Sequence, residues 1–120
     1  MRYSENLLNY FHNTEHQGKL DVSLPNVFVA DVGSTHNQEL LQLFLQIENN
    51  TIVAARFLAM GSVAIIAGSE WLCEFVLQKS VDEVLALTAQ EVLRLLCLSS
   101  VKIHVAQLLV AALKQCMDKK

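Results

Sequence analysis

The sequence predicts an α+β domain, a small antiparallel three-stranded sheet covered on one face by helices. Three short apolar runs lie between Val27 and Leu58 with polar turn residues between them, which is the pattern of consecutive strands. From about Val63 onward the apolar period becomes helical, and two Ser/Thr-x-x-Glu helix starts punctuate the C-terminal half. With 120 residues, 52% hydrophobic and only 18% charged, the chain has ample material for a core, and residues 1–120 are read as a single domain.

Each element has a local reason. Ser4 is placed to cap a short helix carrying Leu7, Leu8 and Phe11, and Gly18 and Pro25 then punctuate an irregular stretch. Val27 to Val32 reads as the first strand and Gly33 to Gln38 as a polar, turn-prone loop. Leu41 to Ile47 and Thr51 to Leu58 are joined through Glu48-Asn49-Asn50, a hairpin-length connection. A helix is expected from Val63 through Leu77. Ser80 with Glu83, and Thr88 with Glu91, mark two short helices, because these side chains satisfy free amides at a helix start. Lys102 to Met117 completes the set as a last helix.

Composition also excludes several classes. A formal charge of -3 offers no clustered basic surface for nucleic acid, and Lys119-Lys120 reads as a solvated tail. The longest uncharged stretch, Phe57 to Ser69, is shorter than the ~20 residues of a membrane span and reads as core, so no membrane association is expected. Three cysteines form an odd count without framework spacing, which argues for a reducing compartment. The early polar residues Ser4-Glu5-Asn6 do not fit a secretion signal. A cytoplasmic protein is therefore expected, and Asn49-Asn50-Thr51 reads as a turn rather than a glycosylation site.

Four segments in order carry a resemblance that spans nearly the whole chain. Tyr3-Ser4-Glu5, then Asn13, then Gly18-Lys19-Leu20-Asp21 are spaced as in Y-S-E…N-P-R-N-x-G-K-L-D. Phe57 to Ser62 is similar to F-x-x-x-G-C, and Lys79-Ser80-Val81-Asp82-Glu83 to K-[ST]-x-D-E. Leu98-Ser99-Ser100-Val101-Lys102-Ile103-His104-Val105 is similar to L-P-P-V-K-[LI]-H-C. Together they resemble the IscU/NifU-type iron–sulfur cluster scaffolds, which implies an IscU/NifU-like (SufE-like) architecture. It also implies a corner where the loop after the first strand and the starts of two helices converge.

Scaffolds of that family hold their cluster, or a zinc ion, with three cysteines helped by an aspartate and a histidine, thiolate being the soft ligand such chemistry selects. None of the three thiolate positions is a cysteine here. The second is Ser62 and the third Val105, while the first falls at Asn37 if the Leu41–Ile47 strand sets the register, or at His36 if the connection is drawn without a gap. The first register puts Glu39 on the family's aspartate, and His104 matches its histidine. Cys73, Cys97 and Cys116 lie off the ligand positions and lack the close C-x-x-C pairing of cysteine-built sites, so they read as packing thiols. An intact iron–sulfur cluster is not expected. His36, Glu39 and His104 form the candidate metal set, with zinc or iron as the ion, since imidazole and carboxylate both suit these metals. His12 and His16 have no partner at ligand spacing and read as surface residues.

Ser62 is not in a G-x-S-x-G elbow, and no catalytic set is assigned; the chain is read as a non-enzyme. The resemblance implies protein partners: a cysteine desulfurase, other cluster-assembly proteins, and an Hsp70-type chaperone that reads the L-P-P-V-K segment. Leu98, Val101 and Lys102 are the corresponding contact candidates, with Ser99-Ser100 replacing the prolines and Thr14-Glu15 replacing the Pro-Arg pair. The last helix is apolar around most of its circumference, from Ile103 to Leu113, which predicts a homodimer or hetero-partner interface. Two functions from different classes fit these residues. One is a non-catalytic interaction or regulatory protein of cluster assembly; the other is a mononuclear zinc or iron protein built on His36, Glu39 and His104. A working scaffold with atypical ligands is the third reading.

Overall fold

Ser4 sets the first element: its hydroxyl accepts the Leu7 amide at 3.1 Å, and α1 (Glu5–His12) begins there. The computed structural model describes residues 3–34, 36 and 38–119, with Ser34 described by its backbone alone. Beyond α1 the chain runs beside the sheet. The Phe57 amide donates to the His16 carbonyl at 3.0 Å and the Gly18 amide to the Phe57 carbonyl at 2.8 Å, forming a short parallel bridge between Gln17 and Phe57.

The sheet is antiparallel in the order β1 (Val27–Ser34), β2 (Glu39–Glu48), β3 (Thr51–Met60). Asn49 and Asn50 turn the β2–β3 hairpin with φ of 50° and 63°, the left-handed pair that matches the twist of the flanking strands. The strands outrun their sequence signals: Gly33 and Ser34 pair with Leu40 and Glu39, and Ala59 and Met60 with Leu41 and Leu40. Ladder hydrogen bonds there override the turn propensity of Gly33-Ser34. On one face Leu41, Leu43, Leu45 and Ile47 are all buried, as period two requires. The opposite face buries Phe44, in register with Val29 and Arg56, and leaves Leu40 and Met60 exposed.

Helices α2 (Val63–Val76), α3 (Val81–Leu85), α4 (Ala89–Leu95) and α5 (Ile103–Asp118) complete the chain, the last preceded by a 3-10 turn over Ser100–Lys102. Both expected capping boxes are formed, Ser80 with Glu83 and Thr88 with Glu91. Helix α2 lies between β3 and α1, and α5 lies across β1 and β2. Ile52, Phe57, Leu72, Leu109 and Leu113 close the core between these layers.

The apolar circumference of α5 has an internal explanation. Val105, Ala106, Leu109, Ala112, Leu113, Cys116 and Met117 are buried, because β1, β2, α2 and α4 all contact this helix. Between Ile103 and Met117 only Gln107, Ala111 and Lys114 are fully exposed. Most of the apolar circumference is thus covered by the helix's own chain and does not by itself require an interface.

Both sheet edges are engaged. Along β3, besides the Gln17 bridge, the Gln78 amide donates to the Ile52 carbonyl at 2.8 Å and the Ile52 amide to the Lys79 carbonyl at 3.0 Å. Along β1, the Asp31 amide donates to Gln115 Oε1 at 2.6 Å, and Lys119 Nζ donates to the Val29 carbonyl at 2.5 Å.

Candidate functional site

The corner expected from sequence is built from the first residue of β2, the N-cap of α2 and the first turn of α5. Ser62 has extended backbone (φ −70°, ψ 164°), and its hydroxyl accepts the Ile65 amide at 3.3 Å. The same hydroxyl donates to Glu39 Oε1 at 2.5 Å. Glu39 is only 3% exposed. Its other oxygen, Oε2, lies 3.2 Å from His104 Nε2 and is buried without a hydrogen bond. His104 is half-buried.

Gly61 makes the approach feasible. Its φ of +135° is one that side-chain-bearing residues rarely adopt, and a Cβ there would meet Glu39 Cγ at 2.9 Å. The β3–α2 junction can thus lie directly on Glu39.

Of the three residues expected to hold a metal, the structure brings Glu39 and His104 together. His36 is exposed in the β1–β2 turn and joins no group of ligand atoms among the described residues. That turn enters β2 through Gln38 at φ +55°, and Glu39 then points inward to Ser62. Asn37 lies outside the described residues. Val105 is 0% exposed and packs in the core, so this position faces inward rather than onto a surface. In the segment before α5, Val101 is 67% exposed, Lys102 half-buried and Leu98 partly buried against the core. Ser99 keeps an extended backbone (φ −72°, ψ 159°).

The thiols do not supply ligands to this corner. Cys73 and Cys116 are buried and Cys97 is exposed. Burial, with the nearby Glu70 charge, pushes the Cys73 thiol far above its usual range, and burial pushes Cys116 up to about 12. No cysteine joins a group of ligand atoms among the described residues.

A second polar cluster was not legible in the sequence. His16, expected at the surface, donates its amide to Glu70 Oε1 at 2.8 Å and places Nδ1 2.6 Å from Glu70 Oε2. Glu70 is completely buried within the largely apolar helix α2. One turn on, Glu74 shares its face, and its carboxyl is raised by burial, by a hydrogen bond with Glu70 and by the Glu70 charge. The available signal was Glu70 itself, a carboxylate in an apolar helix with Glu74 four residues on.

A small antiparallel sheet backed by helices, with a carboxylate and a histidine meeting where β2, α2 and α5 begin, defines the α+β architecture of this domain. The fold is that of a crystallised NifU-like N-terminal protein from Brucella abortus, with a TM-score of 0.77, 16% identity, and coverage of 97% of this chain and 92% of that one. The NifU-like N-terminal domain family matches residues 2–119, and the chain belongs to that family. It is 32% identical over 112 residues to the iron–sulfur cluster assembly protein IscU of Plasmodium falciparum, covering 93% of this chain and 69% of that protein. It is 31% identical over 115 residues to the iron–sulfur cluster assembly scaffold protein IscU of Haemophilus influenzae, covering 95% and 91% respectively. Among the described residues, no helix is long and apolar enough to cross a membrane.

Proposed function

We propose that this chain is a non-catalytic member of the cluster-assembly family that works through protein contacts and does not build an iron–sulfur cluster by itself. The observation that carries this reading is the self-closed corner. Ser62 and Val105 occupy two positions where the family resemblance places thiolates. One is committed to Glu39 and the α2 amide, the other is buried in the core. Cluster iron selects thiolate, and no thiol is among the groups at this corner. The cluster is cargo in such proteins, so its loss leaves a folded domain with its docking surfaces.

Those surfaces are specific. Val101 and Lys102 project from the 3-10 turn before α5 and form the contact we assign to assembly partners, a cysteine desulfurase or another cluster-assembly protein. Leu40 and Met60 are exposed on the outer sheet face beside an open groove of about 640 Å³, and this surface takes over from α5 as the candidate for self-association. The compartment we infer is the cytoplasm, as the thiol pattern suggests.

The test is anaerobic reconstitution of the untagged chain with iron and sulfide, beside the Haemophilus influenzae scaffold. Far less than one sulfide per chain is expected, whatever iron is held without sulfide, with the chain still bound by a desulfurase and that binding weakened by Val101→Asp. Stoichiometric retention of both elements would sink the proposal.

Glu39 Oε2, buried and without a hydrogen bond beside His104, favours a second reading in which Glu39 and His104, with His36 recruited from the turn, hold one zinc or ferrous ion. One equivalent of metal in the wild type that is lost in His104→Ala would establish it in place of the first.

A further inference from the structure

The geometry points to a divalent-cation site at His16, Glu70 and Glu74, on the α1–α2 side of the molecule, that takes a borderline ion such as zinc or ferrous iron. The inference does not depend on the reading of the Glu39 corner. From Ser62 to Glu70 helix α2 climbs about 12 Å, so the two places share no ligand.

Four observations converge. First, among the described residues this is the one group of three histidine, cysteine or acidic side chains whose donor atoms all lie within 4.8 Å of one another. Second, its members are held from three directions. His16 is fixed by its carbonyl to the Phe57 amide and by its own amide to Glu70 Oε1, while Glu70 and Glu74 are four residues apart on one helix face. Third, Glu70 is a fully buried carboxylate whose partners are the His16 amide and ring and the neighbouring Glu74 carboxyl. Burying such a group beside a second carboxylate is costly unless positive charge or a shared proton compensates. Fourth, Glu74 opens into a polar pocket of about 290 Å³ that Tyr10, Asn13 and Glu15 also line, and neither lysine nor arginine lines it. Among the described residues, the pocket lining thus gathers negative charge and oxygen donors with no lysine or arginine among them.

The donor set decides the class of ion. One imidazole nitrogen with two carboxylates suits zinc and ferrous iron, whereas magnesium and calcium favour oxygen alone. Zinc at its usual bond lengths sets neighbouring ligand atoms about 3.4 Å apart in a tetrahedron. The 2.6 Å His16 Nδ1–Glu70 Oε2 contact must therefore open slightly as the exposed Glu74 closes in. His16 Nδ1 gives up its contact with Oε2 to the ion, its ring proton resides on Nε2, and the His16 amide stays on Oε1 as the support that orients the carboxylate. Water completes the coordination from the pocket side.

The experiment is calorimetric titration of zinc into the untagged, metal-free full chain, with Mn²⁺ broadening of backbone amide signals to locate the ion. One equivalent of zinc is expected, with broadening centred on His16 and residues 70–74. Glu74 is exposed, so Glu74→Gln should fold normally by circular dichroism and weaken zinc at least about tenfold. His104→Ala should leave this affinity unchanged. Wild-type affinity in Glu74→Gln, loss of the equivalent in His104→Ala, broadening spread over acidic surface residues, or no zinc binding at millimolar concentration would each overturn the assignment.

Discussion

Replacing Ser62 by alanine separates a structural cap from a site residue. Two hydrogen bonds disappear together: the one its hydroxyl accepts from Ile65 at 3.3 Å and the one it donates to Glu39 at 2.5 Å. Loss of an N-cap costs about 1 kcal/mol. Loss of a hydrogen bond to a carboxylate costs roughly 1.5–3 kcal/mol, here because a side chain that is 3% exposed is left without its donor. The expected total is about 2.5–4 kcal/mol, a large share of a native stability of roughly 5–15 kcal/mol. Ser80→Ala is the control, since Ser80 caps α3 through a solvent-exposed hydrogen bond with no buried carboxylate attached, and it should cost about 1 kcal/mol. Urea unfolding followed by circular dichroism at fixed pH and salt measures both. Combining Ser62→Ala with Glu39→Gln, which removes the charge, should cost less than the two single changes added together. If Ser62→Ala costs no more than Ser80→Ala, Glu39 is not held by Ser62 and the account of the corner fails.

Two further outcomes are expected from the same geometry. A thiol reagent at pH 8 should modify Cys97 rapidly in the native protein and leave Cys73 and Cys116 untouched until unfolding, because thiolate is the reactive form and burial holds Cys116 up to about 12; modification of three thiols in the folded chain would contradict this. Gly61→Ala should destabilise by more than about 1 kcal/mol, since it combines an unfavourable φ with a Cβ 2.9 Å from Glu39 Cγ, and an unchanged urea midpoint would show that the junction is not tight.

What the sequence disclosed, and what it withheld, divides by distance along the chain. The Ser4 cap, both capping boxes, the Asn49-Asn50 hairpin and the alternation from Leu41 to Ile47 are local, and local chemistry reports them. The meeting of Glu39, Ser62 and His104 was legible because the family resemblance brought three distant segments to one corner. His16 and Glu70 stand 54 residues apart and belong to no such pattern, so their pairing needed the folded chain. The apolar circumference of α5 was ambiguous for a different reason. Period reveals that a helix is surrounded, and it is silent on whether the surroundings are its own chain or another. Strand ends were underestimated because Gly33-Ser34 and Ala59-Met60 are recruited by pairing with β2, a tertiary effect that propensity does not contain.

The engaged sheet edges limit how this protein can be recognised. A three-stranded sheet normally offers two rows of unpaired amides and carbonyls as templates for another chain. Here His16 to Gly18 and Gln78-Lys79 occupy the β3 row, while Gln115 and Lys119 reach over from α5 to the β1 row. A partner that works by extending the sheet would have to strip those groups away, and so would a second copy on the way to a fibril. Recognition is left to side chains on turns and faces, where a single substitution can retune a contact without touching the backbone ladder.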